Sequence, residues 1–314
     1  MAKATKLNRK LPGIILVNGS AGTVRTLGIT NVRSLIDNVV QELQLPFKLH
    51  VLQGNEIDAC VRKAIAEGVS AIAVGGGDGT ISGVAHQLLG TDIPLAVLPL
   101  GTMNLFAKAM GMPDSLEAAL RSLAHTKVVD VDVGRINGRT FLLQVSLGLH
   151  PKIVRMRENL GYSSRLTKIL GGVRAFFAAL ADPSRLRLLL SVDGAPNAFK
   201  CPAVVITNNL YGKGHIPFQD RLDEGVLGLY VVKTVDLLPA LSMARDLALG
   251  NWQDSPHVTT LRARIIDIVK LSSRFRRRRH ITASVDGELE TYSLPIRLEI
   301  KPGVLRLLKP VSLA

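Results

Sequence analysis

The first 100 residues alternate between short apolar runs and longer stretches in which apolar residues recur at helical spacing. Strands are predicted at Gly13–Val17, Phe47–Leu52, Ala71–Val74 and Pro94–Leu98. Helices are predicted at about residues 29–44, 55–67 and 80–89. Strands that alternate with helices of about 10–15 residues form βαβ units, so this part of the chain predicts a parallel sheet.

The pattern changes near residue 127, where predicted strands begin to follow one another directly. These strands are Val128–Val133, Phe141–Ser146, Arg185–Val192, Ala203–Thr207, Val226–Val232, Ile281–Val285 and Ile296–Ile300. Successive strands without helices between them favour an antiparallel, β-rich second domain. One longer helix is predicted within this domain, at about residues 151–181.

Composition excludes several classes of protein. With 47% hydrophobic residues in 314, the chain is too apolar to be disordered and long enough to bury a large core. Its two cysteines, Cys60 and Cys201, cannot build a disulfide framework, which favours a reducing compartment. No apolar run approaches the roughly 18 residues that span a bilayer, and the N-terminus lacks a signal-peptide core. We therefore expect a soluble, cytoplasmic protein.

The formal net charge of +14 is concentrated in two windows. Residues 150–190 carry eight basic and two acidic residues, and residues 262–280 carry eight basic and one acidic residue. The first 130 residues are close to balanced. Such patches suit an anionic partner, namely a membrane surface, a nucleic acid or a phosphorylated substrate, although a solvated basic face is an equal alternative.

A glycine-rich loop, Gly75–Thr80 (GGGDGT), lies directly between a predicted strand and a predicted helix. Consecutive glycines let the backbone approach a phosphate and turn several N–H groups toward it, and the helix adds its N-terminal partial charge. Asp78 would repel a polyphosphate unless Mg²⁺ lay between them, so it is a candidate ligand of a metal or of a nucleotide hydroxyl. Thr80 is a candidate helix cap or phosphate ligand. A purely structural turn is the alternative.

Two further small-polar loops follow strands in the same way. Leu100–Asn104 contributes Gly101, Thr102 and Asn104, and Asn18–Gly22 follows the first strand. Because ligands bind at the carboxyl ends of parallel strands, we expect the three loops to converge on one nucleotide-sized site.

Five motifs occur in a set order along the chain: NGSAG (18–22), GGGDGT (75–80), PLGTMNLFAKAMG (99–111), RLDEGVLGL (221–229) and SVDGE (284–288). In this order the chain resembles the soluble lipid kinases, that is, bacterial diacylglycerol kinases and their relatives the sphingosine and ceramide kinases. The resemblance covers about residues 12–310. GGDGT alone is shared with NAD kinases and phosphofructokinases, whereas LGTxN with a late DGE is more particular to lipid kinases.

This resemblance implies two domains with the active site in the cleft between them. The first is an α/β, Rossmann-like nucleotide-binding domain over residues 1–128, completed by about 303–314. The second is an all-β, β-sandwich lipid-substrate domain over residues 129–302. The resemblance also implies that ATP binds at Gly76–Ser82 and Thr102. Together with the loop residues above, the expected nucleotide-binding set is Asn18, Gly75, Gly76, Gly77, Asp78, Gly79, Thr80, Ile81, Ser82, Gly101, Thr102 and Asn104.

The resemblance further implies a Mg²⁺ site formed by the Glu224 carboxylate with the carbonyls of Arg221 and Val226. The sequence departs from the family pattern at several positions. Gly19 replaces a common Pro, Leu105 stands where an Asp is common, and Glu224 replaces the usual Asp. Gln53–Gly54–Asn55 stands where a Thr is common near the nucleotide.

Phosphoryl transfer to a hydroxyl needs a phosphate cradle, Mg²⁺ and a base. The resemblance assigns the catalytic acid to the DGE turn, and we expect Asp78, Asp286 and Glu288 to carry the catalysis. If the segment is extended, Asp286 and Glu288 point the same way. An ordinary hairpin turn, as at Val192–Gly194, is the alternative for Asp286–Glu288. Glu288 is favoured as the base and Asp286 as a metal ligand or orienting group, but the residues do not separate the two roles.

The sequence therefore predicts an ATP- and Mg²⁺-dependent lipid kinase, with diacylglycerol as the first acceptor to test. We expect it to act peripherally at the inner face of the membrane, held on anionic lipid by the windows 150–190 and 262–280. Other hypotheses are a GGDGT kinase with a soluble substrate, such as an NAD kinase, and a basic pseudoenzyme. Nucleic acid is not the expected partner, because few aromatic residues are present to stack on bases. The oligomeric state is open, a homodimer included.

Overall fold

The structure is a computed structural model that describes residues 12–148, 151, 186–212, 219–233, 239, 242, 245–246, 249–252, 255–272, 277–278 and 280–311. The helix predicted at about 151–181 and most of the basic window 150–190 lie outside these residues. The chain divides into two compact units, one formed by Met1–Val133 with Pro302–Ala314 and the other by Gly134–Lys301. No helix in the described ranges is long and apolar enough to cross a bilayer.

The first unit is built on a parallel sheet in the order β2-β1-β3-β4-β17. Its strands are β1 (Gly13–Asn18), β2 (Phe47–Leu52), β3 (Ile72–Gly76), β4 (Leu95–Pro99) and the end of β17 (Ile296–Pro310). Its helices are α1 (Gly22–Leu27), α2 (Ile29–Glu42), α3 (Gly54–Glu67), α4 (Asp78–Leu88), α5 (Leu105–Ala109) and α6 (Leu116–Ser122). Strands β3 and β4 are buried along their whole length, as parallel strands covered on both faces are. The predicted parallel α/β sheet is confirmed.

The second unit contains two antiparallel sheets. One sheet has the order β17-β13-β8-β9; in addition, β14 pairs with β13, and β5 pairs with β17 and β6. The other sheet has the order β12-β11-β10-β7-β15-β16. The strands not yet named are β5 (Thr126–Ile136), β6 (Arg139–Phe141), β7 (Gln144–Gly148), β8 (Leu186–Val192), β9 (Ala195–Cys201), β10 (Ala203–Asn208), β11 (Leu227–Val232), β12 (Val258–Ala263), β13 (Ile265–Ser272), β14 (Arg277–Arg278), β15 (His280–Val285) and β16 (Glu288–Ser293).

One hydrophobic core joins these two sheets. Leu188 and Leu190 of β8 pack in the same cluster as Val204 and Ile206 of β10. The predicted all-β sandwich is therefore confirmed. One predicted strand is wrong: Phe141–Ser146 is not continuous, because the chain leaves β6 after Phe141 and begins β7 only at Gln144.

Three hairpins of the second unit have the same type of turn. Asn137–Gly138, Asp193–Gly194 and Asp286–Gly287 each have positive φ at both residues, 46° and 88°, 47° and 88°, and 47° and 93°. These angles are those of a type I′ turn, which matches the twist of antiparallel strands. In each turn the first side chain accepts a backbone N–H from a neighbouring strand or connection. The turn expected at Val192–Gly194 is thus confirmed.

Candidate functional site

The three small-polar loops of the first unit lie against one another. Asn18 Nδ2 donates to the Thr80 hydroxyl at 3.0 Å, which ties the end of β1 to the first turn of α4. The Thr23 N–H donates to the Leu100 carbonyl at 3.1 Å, which ties α1 to the end of β4. A Cβ on Gly22 would lie 3.1 Å from Thr102 Oγ1. The predicted convergence of these loops is present in the structure.

The glycine-rich loop places its residues differently from one another. Helix α4 begins at Asp78 with Gly77 as its N-cap residue, so Thr80 lies inside the first turn and does not cap the helix. Gly79 and Thr80 are partly exposed, as is Ser82, and their backbone lies at the helix N-terminus, where an anion is stabilised. The Ile81 side chain is fully buried, so this residue faces the core.

Gln53, noted as a departure from the family pattern, joins this loop cluster. Its Oε1 accepts the Ser20 hydroxyl proton at 2.9 Å. Its N–H donates to Glu56 Oε2 at 2.6 Å at the start of α3. A Ser20 N–H to Asn18 Oδ1 bond of 2.9 Å completes the first loop. Gln53 therefore lies beside the Asn18–Gly22 loop.

At Gly101 the glycine-rich loop, Gly75–Thr80, touches the third loop, Leu100–Asn104. A Cβ at this position would lie 2.7 Å from the Gly77 Cα and 2.8 Å from Asn104 Oδ1. Asn104 Oδ1 accepts the Gly101 N–H at 2.8 Å and so closes the Gly101–Asn104 turn. The glycine is required by this close approach of two backbones, since no larger residue fits between them.

We expect Gly101→Ala to lower the free energy of unfolding by about 1–3 kcal/mol, because the added methyl group forces the two loops apart. Gly83→Ala is the matched control, since Gly83 lies in the same unit on α4 with nothing within 4 Å of its added Cβ. That change should stabilise the helix by about 0.5–1 kcal/mol. Urea unfolding of the two variants measures both effects, and equal stabilities would contradict the close approach at Gly101.

Asp78 joins two helix N-termini. Its Oδ1 accepts the Phe106 N–H at 3.1 Å and its Oδ2 accepts the Leu105 N–H at 3.3 Å. These N–H groups belong to the first turn of α5, where no intrahelical acceptor is available. The carboxylate thus orients the third loop relative to the glycine-rich loop, which is a role that its assignment as a metal or nucleotide ligand did not include.

Asp78→Ala should lower the free energy of unfolding by about 1–3 kcal/mol, because two N–H groups at the start of α5 lose their acceptor. ATP affinity, measured by calorimetry at a temperature where the variant is folded, should fall as well, since the third loop loses its anchor. Asp58→Ala is the control, as Asp58 is exposed on α3 and, among the residues that the structure describes, accepts a side-chain hydrogen bond from Gln87. A Asp78→Ala protein as stable as the control would contradict the anchoring role.

In the second unit, Asp286 binds the segment that separates β6 from β7. Its Oδ2 accepts the Leu142 N–H at 2.8 Å, and its Oδ1 accepts the N–H groups of Leu143 and Gln144 at 2.9 and 3.0 Å. Its own N–H donates to the Gln144 carbonyl at 2.9 Å. These bonds explain the break in the strand predicted at 141–146, because the N–H groups there turn to a carboxylate rather than to a strand.

The hairpin turn considered as the alternative for Asp286–Glu288 is what the structure contains, so the condition under which the two side chains point the same way is not met. The segment is not extended, since Asp286 and Gly287 form the two-residue turn and Glu288 begins β16 opposite Val285. Glu288 is 57% exposed, and its carboxylate accepts from Arg139 at 3.0 Å. Arg139 also pairs with Glu290 on the same strand. Glu288 is thus an accessible carboxylate beside a cation, whereas Asp286 is bound to backbone.

The same segment is held from its other side by buried amides. Asn208 donates through its side chain to the Leu142 carbonyl and through its N–H to the Leu143 carbonyl, at 3.0 and 2.9 Å. The Gln219 side chain also donates to the Leu143 carbonyl, at 3.0 Å. Asn208 and Gln219 are both fully buried. The segment 142–144 is therefore immobilised between the Asp286 carboxylate and two amides.

The RLDEG motif joins this network through Asn209. Asn209 donates its N–H to the Val226 carbonyl at 3.0 Å, and its side chain accepts the Glu224 N–H at 2.9 Å. Glu224 Oε2 accepts the Leu210 N–H at 3.1 Å. The motifs SVDGE and RLDEG, which lie far apart in the sequence, are thus linked in the second unit through residues 142–144 and Asn208–Asn209.

Tyr211 extends the network into an aromatic cluster. Its phenol donates to Gln144 Oε1, and its ring stacks on Tyr230 with centroids 4.9 Å apart. Trp252 contacts both rings, each at 5.5 Å. Burial, and to a smaller extent Tyr230, raises the pKa of the Tyr211 phenol well above its ordinary value, so the phenol keeps its proton and stays a donor.

Sequence reasoning missed Arg139, Gln144 and Gln219. Two of them carry a readable signal. Arg139 follows Asn137–Gly138, a dipeptide typical of hairpins, so its position next to another strand could be expected. Gln144 is the single amide in the apolar run FLLQVSLG (141–148), where a polar side chain needs a buried partner. Gln219 carries no comparable pattern.

Family models match both units. The diacylglycerol kinase catalytic domain matches residues 12–136, and the YegS C-terminal NAD kinase beta sandwich-like domain matches residues 145–309. The chain is 32% identical over 269 residues to a Pseudomonas aeruginosa protein named Probable lipid kinase YegS-like, covering 80% of each chain. It is 28% identical over 277 residues to a Mycobacterium tuberculosis protein named Diacylglycerol kinase, covering 83% of this chain and 84% of the other.

Solved structures agree on the fold. A crystal structure of a diacylglycerol kinase from Bacillus anthracis matches with a TM-score of 0.66 at 19% identity, covering 97% of this chain and 99% of the other. A second crystal structure from that organism matches with a TM-score of 0.72 at 21% identity, covering 96% and 98%. The resemblance inferred from the five motifs is confirmed. The chain belongs to the lipid kinase family in which a diacylglycerol kinase catalytic domain is followed by a YegS C-terminal β-sandwich domain.

Proposed function

We propose that this protein transfers the γ-phosphoryl group of ATP to a hydroxyl group of a membrane lipid, with diacylglycerol as the first acceptor. The observation that carries this proposal is the convergence of the Asn18, Gly75–Thr80 and Gly101–Asn104 loops at the N-terminus of α4, in a chain of the lipid kinase family. A glycine-lined backbone at a helix N-terminus suits the phosphates of a nucleotide.

ATP is held by the first unit in this proposal. The backbone of Gly76–Ser82 faces the phosphates, and Thr102, exposed in the third loop, supplies a hydroxyl. Asn18 orients the Thr80 hydroxyl through its 3.0 Å bond. Asp78 acts mainly by fixing α5 relative to these loops, because both of its oxygens already accept backbone N–H groups. A magnesium ion bound with the nucleotide would neutralise the charge that develops on its phosphates.

Glu288 is the base in this proposal. The acceptor hydroxyl gives its proton to the Glu288 carboxylate as its oxygen forms a bond to the γ-phosphorus, and the bond from that phosphorus to the β,γ-bridging oxygen breaks to release ADP. The exposure of Glu288 and the three backbone N–H groups that Asp286 already accepts support this division of roles. Arg139 holds the Glu288 carboxylate in place.

A second magnesium site fits the RLDEG loop. The Glu224 carboxylate with the Arg221 and Val226 carbonyls is an all-oxygen set of the kind that Mg²⁺ prefers. Glu224 Oε2 and the Val226 carbonyl each accept one N–H, which leaves a lone pair on each, and the described residues place no hydrogen bond on Glu224 Oε1. A bound ion would neutralise the carboxylate and order the loop without taking part in the transfer.

The test is transfer of radiolabelled phosphate from ATP to dioleoylglycerol in mixed micelles that contain an anionic phospholipid. We expect a labelled lipid product, little turnover in detergent-free buffer with NAD as the acceptor, and at least a hundredfold less lipid product per unit time with Glu288→Gln, about the lower end of what a positioned base contributes. Product formation from NAD but from no lipid alcohol would instead assign the protein to the soluble-substrate kinases. Turnover of neither substrate would contradict the kinase activity.

The same proposal makes the protein a peripheral enzyme of the inner membrane face, since both the lipid acceptor and ATP are available there. The basic windows 150–190 and 262–280 are the proposed contacts with anionic lipid, at about 1 kcal/mol for each Lys or Arg near the surface. Fractionation of cells that express the tagged protein checks this. We expect the protein in the membrane fraction at low salt. It should move to the soluble fraction after a wash with about 1 M salt, because salt at that concentration screens contacts between charges.

A further inference from the structure

The sheet brings the two basic windows together. Arg187, from the window 150–190, pairs with Ser272, from the window 262–280, across β8 and β13. The next pairs along these strands are Leu188 with Leu271 and Leu189 with Lys270. Segments more than 80 residues apart in the sequence are therefore neighbours in one sheet.

A third segment adds charge to this arrangement. Lys200 on β9 lies directly opposite Arg187, and Arg277 on β14 lies opposite Ser272. These four register positions form one line across β9, β8, β13 and β14. Directly opposed residues of antiparallel strands project from the same face, so Arg187 and Lys200 share a face, and both are exposed. Within the described residues neither has an acidic partner.

Aliphatic side chains lie on the same face. Leu188 and Leu190 are buried in the core, so Leu189 between them projects outward and is 38% exposed. It lies opposite Ala198 on β9. Val269 occupies the bulge between Ile268 and Lys270, where one extra residue interrupts the register, and it is 49% exposed. The face therefore combines unpaired cations with exposed aliphatic groups.

We propose that this face, defined by Arg187, Leu189, Lys200 and Val269 and called here the basic sheet face, docks on an anionic lipid bilayer. The inference rests on the proposed function and names the surface through which the enzyme reaches its substrate. Cations match anionic headgroups, and Leu and Val match the boundary of the acyl chains. A second copy of the chain does not fit, because the same cations would face each other.

The side chains of this face argue against a single-stranded nucleic acid as its partner. Phe199, the aromatic residue beside Lys200, packs against the core from the opposite side of the strand. The described side chains of the face therefore offer no ring on which a base could stack. Exposed cations beside exposed aliphatic groups are what an interfacial contact needs.

The experiment is co-flotation of the full chain with vesicles of equal parts phosphatidylglycerol and phosphatidylcholine, and with pure phosphatidylcholine as reference. The variant Arg187→Gln with Lys200→Gln should lower the affinity for the anionic vesicles by about tenfold or more. The control is Arg33→Gln with Arg62→Gln, which removes the same charge from exposed positions on α2 and α3 and should change the affinity less than about twofold. Leu189→Ser with Val269→Ser should reduce the binding that persists at high salt.

Every outcome of this experiment either supports or overturns the proposed docking face. Equal losses in the two charge variants, or no loss in either, would overturn the basic sheet face. Loss of binding to an RNA oligomer with unchanged vesicle binding would also overturn it, in favour of a nucleic acid. Phosphorylation of a water-soluble, short-chain diacylglycerol, measured on the same proteins, should be unchanged in all variants. If the wild type phosphorylates no lipid yet shows the selective loss of vesicle binding, the docking surface stands and the proposed function fails.

Discussion

Replacing Glu288 by Gln is expected to lower kcat for lipid phosphorylation by about a hundredfold to ten-thousandfold, the range that a positioned base contributes, which leaves little or no labelled lipid in the micelle assay. The amide keeps the size of the side chain and can still contact Arg139, but it cannot accept the proton of the acceptor hydroxyl. Since Glu288 is 57% exposed at the start of β16, thermal unfolding should be nearly unchanged. ATP affinity should also be retained, because the nucleotide loops belong to the first unit.

Glu290→Gln is the matched control for this prediction. Glu290 lies two residues further along β16, on the same face of the strand, and also pairs with Arg139. It should keep most of the turnover, because its carboxylate is not the proton acceptor. If both variants lost turnover equally, the effect would belong to the position of Arg139 and not to proton transfer at Glu288.

Asp286→Asn is expected to lower both stability and turnover. The Asn side chain tolerates the φ of 47°, so the turn can form. Its NH₂ group, however, meets backbone N–H groups that now donate to a carboxylate, at 2.8–3.0 Å. Loss of these charge-assisted bonds should lower the free energy of unfolding by about 2–4 kcal/mol. Turnover of the folded protein should fall about tenfold to a hundredfold, because the segment 142–144 and the adjacent Glu288 shift.

Asp193→Asn separates stability from function. Asp193 has the same φ of 47°, the same following glycine and the same use of its carboxylate, which accepts the N–H groups of Arg264 and Ile265 at 2.8–2.9 Å. Its variant should lose a similar amount of stability and keep full turnover. Urea unfolding and steady-state kinetics on both proteins provide the comparison. Equal losses of turnover would show that Asp286 has only the structural role of its counterpart.

Much of the loop arrangement in the first unit could be predicted from sequence because its determinants are local. Gly75–Thr80 stands directly between a strand and a helix, and parallel strands bring the loops at their carboxyl ends to one edge. The pattern therefore predicts the convergence that the Asn18–Thr80 bond displays. Local pattern could not show that Asp78 turns to α5, because its partners Leu105 and Phe106 are 27 and 28 residues away.

The DGE turn shows the opposite limit. Asp193–Gly194 and Asp286–Gly287 are the same signal in sequence and the same turn in structure. The two turns differ in their surroundings. Asp286 binds the segment 142–144, which buried Asn208 and Gln219 also hold. Arg139 lies beside Glu288, two residues further on. Two-residue hairpins impose a reversal of the chain, so Asp286 and Glu288 do not have the geometry of an extended segment.

By itself the sequence determined the alternation of strands and helices in the first unit, the β-rich character of the second and the family, because periodicity, glycine placement and motif order are properties of neighbouring residues. Only the tertiary structure decided which carboxylate is bound to backbone and which is accessible. It also decided that the two basic windows meet across β8 and β13. The physical reason is that strands can pair whatever their separation along the chain. Which strands pair is therefore not visible in the local sequence pattern of either one.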